Sequence, residues 1–171
     1  MRRISAFAAA VIVAAALATL GSGRPGAAHA ESRGFDGCYG FGRVTMAPGV
    51  TMQPQDGTIR FTQNLGPCRL SDPSILSGTL TGSGVGRFSC AAGQGTAQFL
   101  VRWENGRTSA GTFSFGTLGS HLGGYGQVTD GEFKGDRFGI GGEIDPSHPS
   151  ACANGGVTEA TTYESVGISP G

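Results

Sequence analysis

Apolar residues recur at every second position in several stretches of this chain, the period of a strand with one buried face. Thr58–Leu65 alternates in this way, with Ile59, Phe61 and Leu65 on one side. Ala97–Glu104 does the same, setting Phe99, Val101 and Trp103 opposite Gln98, Arg102 and Glu104. Asn105-Gly106 follows at once. Asn-Gly between alternating runs signals a hairpin, because a two-residue turn of this kind needs φ > 0 at both positions. The return strand is predicted over about Arg107–Phe115, with Phe113 and Phe115 inward.

Asp130-Gly131 predicts a second hairpin, joining about Leu122–Thr129 to Glu132–Ile144. Phe133 differs in parity from Phe138 and Ile140, and a bulge near Gly135-Asp136 would bring them to one face. Leu76, Leu80 and Phe88 share even parity along a Gly-rich run, Tyr39 and Phe41 mark the first strand, and Val157–Ile168 the last. No segment keeps a helical period over three turns. The expected fold is all-β: a single antiparallel domain of about eight strands. Glycines 78, 82, 84 and 86 strip side chains from one face and permit sharp coiling. An up-and-down barrel is therefore preferred over a sandwich.

Residues 1–30 break this pattern. Arg2 and Arg3 precede an uncharged apolar run from Ala6 to Leu20, and a breaker-rich stretch then ends in Ala28-His29-Ala30. Those are the three parts of a cleavable secretory signal. A transmembrane anchor wants ~20 apolar residues, and this run is shorter. The first cysteine is Cys38, too late for a lipoprotein, and Ile4-Ser5-Ala6 after the arginine pair lacks the apolar follow-up of a twin-arginine signal. The reading is a signal peptide over 1–30 and a secreted, extracellular β domain over 31–171, with no membrane association after cleavage.

Export changes the meaning of the four cysteines. Cys38, Cys68, Cys90 and Cys152 all fall in the mature part, and an even count in an exported chain points to two disulfides. No CxxC pair or close Cys/His spacing suggests metal. Of three possible connectivities, strand parity favours one. In an eight-strand meander Cys38 opens the first strand and Cys68 follows the second, at one end. Cys90 closes the third and Cys152 precedes the eighth, at the other. Only Cys38–Cys68 with Cys90–Cys152 avoids crossing the barrel's length, and bridged Cα atoms must lie within ~7 Å.

Composition narrows the partners. The mature part keeps nine of the twelve basic residues and all twelve acidic ones, for a formal charge of −3. With no basic cluster, nucleic acid is not an expected ligand. Glycine, 29 of the 141 mature residues, shows no Gly-X-Y period, which excludes collagen.

Candidate chemistry is sparse. His121 and His148 are the mature histidines, and Ser120, His121 and Asp145 could be assembled into a nucleophilic triad. Sequence neighbours are poorly placed for that relay, and no Gly-x-Ser-x-Gly elbow is present. The acids Asp130, Glu132, Asp136, Glu143 and Asp145 read as solvated turn residues, since the dense spacing of a calcium loop is missing. Gly82–Gly86 is Gly-rich but lacks the helix and Gly-Lys-Ser/Thr of a phosphate loop. Trp103 shares parity with Phe99 and Val101 and is assigned to the core rather than to a sugar-stacking surface with Tyr39, Tyr125 and Tyr163. No catalytic residue, metal or cofactor is assigned.

The runs Gly84–Cys90, Gly95–Gly106 and Gly126–Asp136 resemble a group of small secreted Gly/Thr-rich β proteins of actinobacteria with paired cysteines. The resemblance implies a secreted β fold and no activity. The expected function is a non-catalytic extracellular binding or structural domain, its partner an unknown extracellular ligand or protein. The alternatives are a small secreted hydrolase using Ser120, His121 and Asp145, or a protease inhibitor presenting the loop Asp145–Ala151.

Overall fold

A computed structural model describes residues 36–146 and 149–171. The signal and its cleavage point lie outside the described residues, as does His148. Eight strands follow in order: β1 (Gly37–Val50), β2 (Gln55–Arg69), β3 (Gly78–Phe88), β4 (Ala92–Trp103), β5 (Thr108–Leu118), β6 (His121–Gly131), β7 (Arg137–Pro146) and β8 (Val157–Ser169). Each pairs antiparallel with the next, and β1 pairs with β8, closing a barrel. The up-and-down barrel is thus the fold, and both disulfides form as Cys38–Cys68 and Cys90–Cys152.

The alternation decides which side chains enter. Ile59, Phe61 and Leu65 of β2 are buried, as are Phe99, Val101 and Trp103 of β4 and Phe113 and Phe115 of β5. Outward positions of β2 and β4 carry Thr58, Arg60, Thr62, Gln94, Gln98 and Arg102. Tyr39 and Phe41 do mark β1, but they point outward. The inward set on that strand is Cys38, Gly40, Gly42 and Val44.

Three local expectations are corrected. The Asn105-Gly106 hairpin has a longer turn with one left-handed residue, Gly106 at φ 83°. Trp103 N donates to Arg107 O at 2.9 Å and Gly106 N to Trp103 O at 3.0 Å, so Asn105 has no need of a positive φ. The bulge near Gly135-Asp136 is absent, because Glu132–Asp136 is a loop and β7 starts only at Arg137. Phe133 sits in that loop at φ 63°, which is why its parity disagrees with that of Phe138. Leu76 is exposed in the β2–β3 loop, and its neighbour Ile75 takes the buried place instead.

One end of the barrel is filled solid. Phe99 stacks on Phe138 at 4.2 Å between ring centroids, with Phe113 beside both at 6.1 and 5.4 Å. Trp103 lies beyond them, met edge-on by Phe133 at 5.9 Å. Its indole Nε1 donates to Ser109 Oγ at 2.8 Å, and that hydroxyl donates to Glu132 O at 2.7 Å. Outside, Arg107 clasps Asp72 and Glu132. The Ser74 and Arg107 hydrogen bonds hold the Asp72 carboxyl down at about 2. Ser109→Ala strands the buried indole N–H and should cost about 2 kcal/mol in denaturant unfolding. Wild-type stability in that variant would show that the indole finds another acceptor.

Candidate functional site

The other end of the barrel is hollow. A cavity of about 340 Å³ opens among the β1–β2, β3–β4, β5–β6 and β7–β8 connections. This lies within the ~300–1,000 Å³ range of small-molecule sites. Val44, Ile59, Phe61, Phe88, Ile140 and Ala160 form much of its wall, and Phe113 closes it from below. Two features of the sequence create the space. Phe99, Phe138 and Trp103 fill the other end, whereas the wall here sets smaller side chains such as Val44 and Ala160 beside Phe61, Phe88 and Phe115. Glycines alternate with them on the inward face.

The cup floor is polar. Gln63 of β2 and Thr162 and Glu164 of β8 all face inward and are buried. Gln63 Nε2 donates to Thr162 Oγ1 and to Glu164 Oε1, each at 2.8 Å. These side chains meet across β1, which runs between β2 and β8. Neighbouring strands lie ~4.8 Å apart, so the amide must pass over the inward face of β1. It can do so because Gly42 is there. A Cβ at Gly42 would sit 2.7 Å from the Gln63 Cα and 2.9 Å from its Oε1, too close for any side chain.

Gln63 Oε1 and Glu164 Oε2 have no hydrogen-bond partner among the described residues. Burial pushes the Glu164 carboxyl up to about 7, and the nearby Thr162 hydroxyl and Gln63 amide offset part of that shift. Among the described residues that line the cup, Glu164 is the one ionisable side chain.

The mouth is strapped. In a ring of eight strands, the β3–β4 turn stands diametrically across from the β7–β8 connection. The Cys90–Cys152 disulfide joins these two sectors, and both cysteines line the cup. Cys152 ends a short 3-10 turn, Pro149–Cys152, and Cys90 N donates to Thr51 O at 2.8 Å, tying in the β1–β2 loop as well.

No known family, curated protein or solved structure matches this chain.

The residues weighed for catalysis are not brought together. His121 is largely exposed, with the Glu143 carboxylate 3.8 Å away. Among the described residues no hydrogen bond or ion pair joins His121 to Ser120 or Asp145. Ser120 instead uses its backbone carbonyl to accept from Ile144 N at 2.7 Å. No group of three His, Cys, Asp or Glu residues is placed to hold a metal, again among the described residues. Part of the Asp145–Ala151 loop lies outside them. Trp103 is core, while Tyr39, Tyr125 and Tyr163 stay on the outer surface.

Gln63 and Glu164 were open to detection in the sequence. Gln63 stands between Phe61 and Leu65 on the inward parity of β2. Glu164 likewise continues the inward series Ala160, Thr162, Val166 and Ile168. A polar residue at a core parity is the signal.

Proposed function

We propose that this protein is an exported, non-catalytic binder of a small, mainly apolar molecule held inside the barrel. The observation that carries this reading is the half-hollow interior: an apolar cup, open at one end, with two unpartnered oxygens at its floor. A packed structural barrel gains nothing from burying Gln63 Oε1 and Glu164 Oε2 without partners, since each such group costs roughly 1–3 kcal/mol. A ligand seated in the cup can supply hydrogens to both oxygens. Two disulfides fit an oxidising compartment, and the apolar run and Ala28-His29-Ala30 site of residues 1–30 support secretion.

The test is titration with the neutral fluorescent probe N-phenyl-1-naphthylamine, comparing wild type with Ala160→Phe. Ala160 is buried in the wall, so the phenyl ring occupies the cup. Saturable binding should weaken by at least about tenfold, equivalent to about 1.4 kcal/mol. If Ala160→Phe does not fold, Val157→Trp at the mouth is the second plug. Absence of saturable binding to wild type, or undiminished binding to a folded plugged variant, would reject the cup as a binding site.

A further inference from the structure

We infer that the molecule in the cup carries a protonated primary amine at the end that reaches the floor. This rests on the cup being a ligand site, and goes further by assigning the ligand's head group. The floor has already used its N–H donors. Both hydrogens of Gln63 Nε2 are spent, one on Thr162 Oγ1 and one on Glu164 Oε1. The Thr162 hydroxyl is spent on the Glu164 carboxyl, and what remains is oxygen: Gln63 Oε1 and Glu164 Oε2.

With Glu164 ionised, both oxygens are acceptors, and the head group that satisfies them brings at least two hydrogens. A hydroxyl has one to give, whereas an ammonium has three. A ligand carboxylate would bring only further acceptors. It would also set a second negative charge beside Glu164 in an apolar enclosure, where unpaired charge is costly.

Charge points the same way. The charged groups on the strands around Glu164 face outward. Arg43 of β1 pairs with Glu159 on the outer surface at 3.1 Å. Glu143 of β7 lies outside with His121, and Arg60 of β2 and Asp145 of β7 are exposed. Among the described residues no cation is therefore placed to neutralise Glu164 from within the cup. A ligand ammonium would supply that counter-charge and make charge-assisted hydrogen bonds to the carboxylate. Where Glu164 starts protonated, its proton leaves to solvent as the ion pair forms. The apolar wall then takes the ligand's hydrocarbon portion.

The experiment uses three eight-carbon competitors that differ only at the head: octylammonium, 1-octanol and octanoate. Each displaces N-phenyl-1-naphthylamine from wild type and from Glu164→Gln at pH 8. In wild type, octylammonium should act at about one-tenth the concentration octanol needs, a difference of about 1.4 kcal/mol, with octanoate weakest. In Glu164→Gln that advantage should shrink to about twofold or less, or about 0.4 kcal/mol. Octanol or octanoate matching octylammonium in wild type would overturn the inference. So would an ammonium preference that survives Glu164→Gln, or a bound probe that octylammonium cannot displace. In each of those results the probe still binds, so the cup stands and only the head-group assignment falls. A probe that never binds wild type rejects the cup itself.

Discussion

Replacing Cys90 and Cys152 together with alanine is expected to lower the unfolding free energy by about 4 kcal/mol. The two cysteines are 62 residues apart, and the estimate is the loop-closure entropy that the crosslink removes from the unfolded chain. Against the 5–15 kcal/mol typical of a domain, a loss of that size is a large share of the whole. Denaturant unfolding of the double variant beside wild type measures it. The same bond spans the mouth, so cutting it should also speed exchange of a bound probe. A loss below about 1 kcal/mol would show that the unfolded chain is already confined by other means.

Glu164 should give this barrel a pH dependence opposite to that of a salt-bridged carboxylate. Its folded-state value, about 7, lies above the ordinary 4.5. Between those values the native chain holds a proton that the unfolded chain has released. Stability is therefore greatest on this account below pH 4.5 and declines as pH rises through about 7. The full decline is about 3 kcal/mol, at 1.36 kcal/mol for each unit. Glu164→Gln keeps a carbonyl oxygen to accept from Gln63 Nε2 but has no proton to lose. Unfolding curves at a series of pH values should show the variant's stability nearly flat across this window. By pH 8 it should exceed wild type by up to about 3 kcal/mol. A wild-type profile without this slope, or an equal slope in Glu164→Gln, would contradict the burial of a titrating carboxyl at the floor.

The barrel was legible in the sequence because a period of two, once started, fixes every inward residue of a strand. Ile59, Phe61, Phe99, Val101, Trp103, Phe113 and Phe115 could be placed from parity alone, and the meander then set the disulfide partners. The polar floor of the cup went unread for a different reason. Alternation draws the eye to the apolar members of an inward series, yet the informative members of β2 and β8 are the polar ones, Gln63 and Glu164. Their meeting could not be read from either strand alone. It depends on Gly42 of a third strand leaving its inward face bare, a three-strand coincidence that appears only once β1 is known to lie between β2 and β8. Hollowness was hidden too, because interior volume depends on how large and small side chains are distributed along the barrel axis. The errors at Asn105-Gly106 and Phe133 were errors of turn length, which backbone hydrogen bonds in the loop decide and side-chain pattern does not.

The pairing of the first strand with the last has a practical reach. Ile168 N donates to Asp36 O at 3.0 Å, and Gly37 lies opposite Gly167. The two ends of the described barrel thus emerge side by side, at the filled end and away from the mouth. Cargo or an affinity tag fused at either end hangs behind the barrel. A chain immobilised on a bead or sensor surface by either end presents its opening to the solution. The short separation between Asp36 and Ser169 likewise invites a circular permutant, joined there and reopened at Gly106, whose cup would be built from the same eight walls in a new order.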